Sequence, residues 1–168
     1  QLALNEAGIA AVINSKESVF ASAEAIDLFT LLQAVAQPTN NHLLKQALTL
    51  NCFNLNGQQL YQMLNDELIM DGWLSRFLDY QQNWHKNGFM VMMQQLLSNE
   101  KILPHLSKLD YAERRITNLQ HCIELVQQAA IDEHLGINKT LDWLHNNITQ
   151  AAIKPSGSDE QQLRLESD

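Results

Sequence analysis

The six histidines, at positions 42, 85, 105, 121, 134 and 145, are the side chains best suited to move a proton or hold a metal. Their spacing supports neither role. None lies in an HExxH pattern and no two stand four apart on one helix face, whereas a zinc site needs ligands that converge. DEHLG puts an acid beside His134 without supplying further ligands, and His121 reads as a helix-packing residue. Paired carboxylates occur at Asp66-Glu67 and Asp132-Glu133. Both pairs fall at helix ends on solvated faces, and general acid work needs a partly buried, perturbed group. Cys52 and Cys122 stand 70 residues apart with no CxxC, so they read as two buried, reduced thiols. The six glycines form neither GxGxxG nor GxxxxGK[ST], which removes the usual nucleotide loops. The sequence therefore assigns no catalytic residue, no cofactor-binding residue and no metal ligand.

The aromatic and basic residues raise a different chemistry. Bases stack on aromatic rings beside a cationic groove, yet Trp73, Phe77 and Trp84 follow the helical period with few cations between them. That pattern is a core stripe. Met90, Met92 and Met93 read as gap fillers in helix packing. The main basic pair is Arg114-Arg115. Ile116 faces inward, so one arginine flanks the core and its neighbour points to solvent. Local carboxylate pairing and phosphate contact are both open to them.

Net charge is −8, from 19 acidic against 11 basic residues, so the surface as a whole repels phosphate and any nucleic-acid contact must be local. Only 18% of residues are charged. Glutamine and asparagine supply much of the polarity, spread among leucines at helical spacing as solvated helix faces. No run approaches the roughly 18 continuous apolar residues of a membrane span, and no basic-then-apolar leader opens the chain. The expectation is a cytoplasmic protein with no membrane contact, in one domain's length of 168 residues.

Elements that would carry these residues follow from caps and periodicity. QLALNEA with Gly8 reads as a helix end, and IAAVI at 9–13 as a short buried strand. From Ser22 the pattern turns helical. Ser22 caps 23–37, Asn40 or Asn41 starts a helix to about Leu50, and Asn56 caps GQQLYQML. Ile69, Trp73, Phe77, Tyr80 and Trp84 mark a long core helix over 66–87, ended by Gly88. A further helix covers 89–97, and Pro104 limits the next stretch to a short turn or helix start. Asp110 opens the longest run, with Ala112, Ile116, Leu119, Ile123, Val126 and Ala130 inward, and Gly136 closes it. Asn138 caps a last helix with Ile137, Leu141, Leu144, Ile148 and Ala152 on one side. KPSGSDE then reads as a loop, and the alternating QLRLESD at 162–168 as a strand. The expected fold is mainly α, about seven helices with short β segments near both ends. Solitary strands at the ends of a bundle suit a helical insertion in a larger α/β domain.

GIAAVINSKESVFASAEAIDLFTLLQAV, AERRITNLQHCIELVQQA and EQQLRLESD together resemble the RecB-type, exodeoxyribonuclease V beta members of the UvrD/Rep-like superfamily 1 DNA helicases. The resemblance rests on Gly8, Ser18-Val19-Phe20 before Glu24-Ala25, Glu113-Arg114-Arg115, Thr117-Asn118, His121, Glu124-Leu125 and Arg164 to Asp168, in that order. It implies a 2B-like helical subdomain at 22–153, an edge of motor domain 2A at 1–21, and a loop and strand at 154–168 leading back toward motif V. It also implies that a motif IV arginine lies before Gln1 and the motif V loop beyond Asp168.

By the same resemblance, the intact protein would be an ATP- and magnesium-dependent 3′ to 5′ DNA helicase joined to a nuclease domain. It would work with RecC-type and RecD-type subunits in double-strand break repair and recombination, while this segment alone would be inert. The helical part would regulate the motor and touch DNA or a sister subunit, with Arg114, Arg115 and Lys139 as candidate contacts. The competing reading is a self-standing all-α module that takes a partner helix in an apolar groove. A small helical enzyme lacks any site to support it.

Overall fold

The computed structural model describes residues 19–153, and among these residues the backbone is helical without a strand. The helices are α1 (Ala23–Ala36), α2 (Asn41–Leu48), α3 (Gly57–Leu64), α4 (Glu67–Asn87), α5 (Phe89–Asn99), α6 (Ile102–Leu106), α7 (Ala112–Asp132) and α8 (Ile137–Ile153), with a 3-10 turn at Asn51–Phe53. The fold is mainly α, as expected, and the described residues hold eight α-helices because the stretch around Pro104 closes a helix of its own. The strands expected at 9–13 and 162–168, the helix end at 1–7 and the loop at 154–160 lie outside the described residues.

Helix starts follow the short polar side chains that satisfy free amides. Ser22 Oγ accepts from the Ala25 amide (3.3 Å), and Asn40 Oδ1 from Leu43 (3.2 Å). Asn56 and Gln59 form a reciprocal capping box, 2.8 and 3.1 Å. Asp66 Oδ1 accepts from both Leu68 (3.0 Å) and Ile69 (3.2 Å). Gly88, at φ 92°, ends α4 and begins α5, a left-handed backbone that a side chain would strain.

Three caps differ from the sequence reading. α7 starts after Tyr111, itself left-handed at φ 59°, and the Asp110 carboxylate does not cap it. Instead the Asp110 carbonyl accepts from Arg115 Nε (2.8 Å). At the other end His134, not Gly136, takes the left-handed position (φ 53°), with Leu135 N–H returning to Ala130 O (3.0 Å) and His134 N–H to Ile131 O (3.3 Å). That pair of bonds is a Schellman ending. α8 begins at Ile137, ahead of Asn138, because the Gly136 carbonyl accepts both the amide and the hydroxyl of Thr140 (2.9 and 2.8 Å).

α1 is the axis of the body. Its buried residues include Ala25, Leu28, Leu31, Leu32, Ala34 and Val35, far more than one stripe, because α2, α4, α7 and α8 all pack on it. A helix apolar nearly all round has to be surrounded. Val19 and Phe20 join the same core. Phe77, Tyr80 and Trp84 of α4 are buried as the stripe requires, but Ile69 is exposed and Met70 takes the inward place in that first turn. On α7 Ala129 is buried ahead of Ala130, and on α8 Ala151 ahead of Ala152. A straight helix of 3.6 residues per turn drifts around its axis, so a stripe extrapolated by steps of three and four slips by one residue near its end.

Candidate functional site

One group of interior charged residues gathers where α1 meets α7. Glu24 is buried and accepts from Asn118 Nδ2 at 3.0 Å, while Arg115 Nη1 stands 3.9 Å from its other carboxylate oxygen. Arg115 is thus the inward arginine of the pair. It is held by its own helix start and by α1, and it is half-buried. One turn along α1, Asp27 borders the same cavity of about 30 Å³, together with Cys52, Leu31 and Met93. That volume holds about one water.

Burial, then the neighbouring Glu24 charge, raises the Asp27 carboxyl above its ordinary range, with Arg115 opposing. Burial, with Asp27 adding to it, pushes the Cys52 thiol up to about 12. Cys122 is pushed to about 12 by burial alone. Both are free, buried thiols that stay protonated at neutral pH, and the protonated sulfur is a poor nucleophile. His105 Nδ1 lies 2.9 Å from the Cys52 carbonyl oxygen, a contact with the backbone of that residue and not with its thiol. No group of three or more metal-ligating side chains forms among the described residues. What this cluster does is tie two helices whose paired residues stand 94 apart in sequence.

Asp27 makes a pH-dependent prediction. A carboxyl held above its ordinary value binds its proton more tightly in the folded chain than in the unfolded one. It therefore adds stability in acid, and that gain is lost as pH rises through the folded value. At neutral pH the ionised Asp27 is a net cost. Asp27→Asn should melt higher than the parent at pH 7, and the gap should close as pH falls toward the ordinary carboxyl value of 3.8. Melting curves over that range check it, and a gap that does not change with pH would contradict it.

The candidate contact residues do not form one patch. Arg114 is exposed in the first turn of α7 and Lys139 is exposed in the first turn of α8. Because α8 follows the far end of α7, roughly 27 Å of helix at about 1.5 Å per residue separates the two. Arg114 and Lys139 are available to a partner, whereas Arg115 is already engaged.

A second network was not read from the sequence. Glu100, at the end of α5, is buried and accepts from Arg76 Nε (3.0 Å) and Nη2 (2.5 Å) and from the Tyr80 hydroxyl. The Arg76 guanidinium lies 4.1 Å from the centroid of the Trp73 ring, and Trp73 Nε1–H meets Met63 Sδ at 3.0 Å. Burial, followed by the Glu100 carboxylate, holds the Tyr80 phenol above its ordinary range, so it remains a donor. The only sequence signal was Arg76 three residues after Trp73 on one helix face; nothing local points to Glu100, 24 residues on.

No protein-family model matches the chain. It is similar to the RecBCD enzyme subunit RecB of Escherichia coli (strain K12), 34% identical over 159 residues, which is 93% of the chain and 13% of that relative. The RecB subunit of Haemophilus influenzae is 31% identical over 166 residues, 98% of the chain and 13% of the relative. That of Mycobacterium tuberculosis (strain ATCC 25618 / H37Rv) is 29% identical over 169 residues, 99% of the chain and 14% of the relative. The chain spans about 13% of the length of the curated relatives it matches. No described helix is long and apolar enough to cross a membrane.

Proposed function

We propose that the chain, which is similar to RecB subunits along nearly its whole length, is a noncatalytic helical segment, 2B-like over 22–153, of the RecB-type subunit of an ATP-dependent DNA helicase and exonuclease. It serves double-strand break repair and recombination in the cytoplasm, beside RecC-type and RecD-type subunits. ATP and magnesium act elsewhere in the intact protein. The carrying observation is the RecB similarity over 93% of the chain, in relatives of which that stretch is only 13%. The same proportion favours a segment over a self-standing module.

The bond between Glu24 and Asn118, which ties two helices far apart in sequence, supports a structural role for the described part. A net charge of −8 disfavours strong DNA binding by the segment alone, since phosphate contacts supply most nonspecific affinity. Arg114 and Lys139 are the exposed candidates for a local contact, and Arg115, the third candidate, is engaged with the Asp110 carbonyl and Glu24.

The test substitutes Arg114→Glu and Lys139→Glu separately in the intact RecB-type protein. Unwinding or subunit assembly should fall several-fold in at least one variant, while ATP hydrolysis on short single strands is kept. If DNA is the partner, each lost phosphate contact lowers the salt slope by about one. Unchanged unwinding and assembly in both variants, or turnover of ATP or DNA by the 168-residue chain itself, would reject the reading.

A further inference from the structure

Asn-Gly stands at 56–57 and again at 87–88, and asparagine, a labile side chain, is least durable in that dipeptide. Glycine has no β-carbon to hinder its backbone nitrogen. That nitrogen can attack the asparagine Cγ, forming a C–N bond and expelling the side-chain nitrogen as ammonia, which carries off the glycine proton. Water then opens the succinimide ring at either carbonyl, giving aspartate or isoaspartate. The step is a group transfer within the chain, with water as its one co-reactant.

To reach Cγ, the peptide between the two residues has to turn, and the structure resists that turn differently at the two sites. Asn56 and Gly57 are exposed, and the Gly57 amide, the first of α3, makes no hydrogen bond among the described residues. Turning the peptide breaks the capping box and the bond from the Leu60 amide to the Asn56 carbonyl (2.9 Å). α3 has eight residues, of which Met63 alone is buried. A helix so short and so little covered opens at low cost.

Asn87 is exposed as well, but its peptide is held. Gly88 N–H donates to the Trp84 carbonyl (3.0 Å), and Asn87 Nδ2 donates to Asn83 Oδ1 (2.6 Å). Trp84 and Phe89, before and after the pair, are both buried, with ring centroids 5.7 Å apart. Turning the 87–88 peptide would pull this core pair apart.

We propose that Asn56 is a site of spontaneous modification, deamidating through a succinimide in the folded protein while Asn87 is spared. Aspartate at 56 keeps the cap and sets a negative charge at the positive end of α3. Isoaspartate lengthens the main chain by one methylene and breaks the reciprocal capping box.

The test incubates the 168-residue chain at neutral pH, folded and in urea, and follows positions 56 and 87 by peptide mass mapping. In the folded chain Asn56 should convert at least about tenfold faster than Asn87, giving isoaspartate along with aspartate, and in urea the two rates should come together. Gly57→Pro removes the reacting N–H. Proline suits a first helical position and a β-carbon at residue 57 would meet nothing within 4 Å, so conversion at Asn56 should stop with helical circular dichroism unchanged. Conversion of Asn87 as fast as that of Asn56 in the folded chain would overturn the proposal, as would an Asn56 that persists when folded over the time in which urea converts it. Aspartate at 56 without isoaspartate, or conversion that survives Gly57→Pro, would mean direct attack by water and would overturn it too.

Discussion

Arg76→Ala should cost this protein about 3 kcal/mol, a drop of roughly 6–12 °C in melting temperature. The reason is what the substitution leaves behind. The Glu100 side chain is only 3% exposed, and it is neutralised by two guanidinium bonds from Arg76. Without them the buried carboxylate keeps, among the described residues, the Tyr80 hydroxyl as its side-chain partner. Removing one side of a buried pair costs about 3–5 kcal/mol. The lower end applies because Arg76 is itself 48% exposed, so water reaches the vacated place. The stack of Arg76 on Trp73 adds less than about 1 kcal/mol at such a site.

A companion variant separates the charge from the packing. In Arg76→Ala with Glu100→Gln no charge is stranded, and the amide oxygen still accepts from Tyr80. The double variant should lose less than Arg76→Ala alone. Denaturant melts of the two variants measure this, and an Arg76→Ala loss below about 1 kcal/mol would show that the pair contributes no more than a surface ion pair.

Phe77→Ala should be costlier still, about 3–5 kcal/mol, enough to leave little of the stability of a typical single domain. Phe77 has no exposed surface and sits edge-on between two rings, 6.4 Å from Trp73 and 5.6 Å from Tyr80. Its loss opens a cavity beside Tyr80, which also positions the Glu100 network. Two turns earlier on the same helix, Ile69→Ala should change stability by no more than about 0.5 kcal/mol, since Ile69 stands in water. Equal costs at both positions would restore a continuous stripe along α4 and contradict the outward place of Ile69.

That contrast shows where reading by period runs out. Steps of three and four residues locate one face of a helix, but they do not say where along it the neighbouring elements stop. In the first turn of α4 Met70 takes the inward place, so Ile69, the first member of the extrapolated stripe, is left 44% exposed. Arg115 is the same lesson in charge. Its place beside Arg114 showed that one of the two turns inward, yet its partner Glu24 is on another helix, 91 residues away.

The amino-acid sequence by itself determined the helical class, the RecB-type resemblance, and the boundaries marked by Ser22, Asn56 and Gly88, with the start of α2 narrowed to Asn40 or Asn41. These depend on bonds within four residues of the cap or on the left-handed freedom of glycine, all local physics. It also determined that Cys52 and Cys122 are buried, unpaired thiols. Tertiary structure decided the rest. It selected Tyr111 and His134 as left-handed helix ends, tied Arg115 to Glu24 and Arg76 to Glu100, and left Ile69 exposed. Each of those outcomes depends on which helices meet, and burial and ion pairing act through space without regard to distance along the chain.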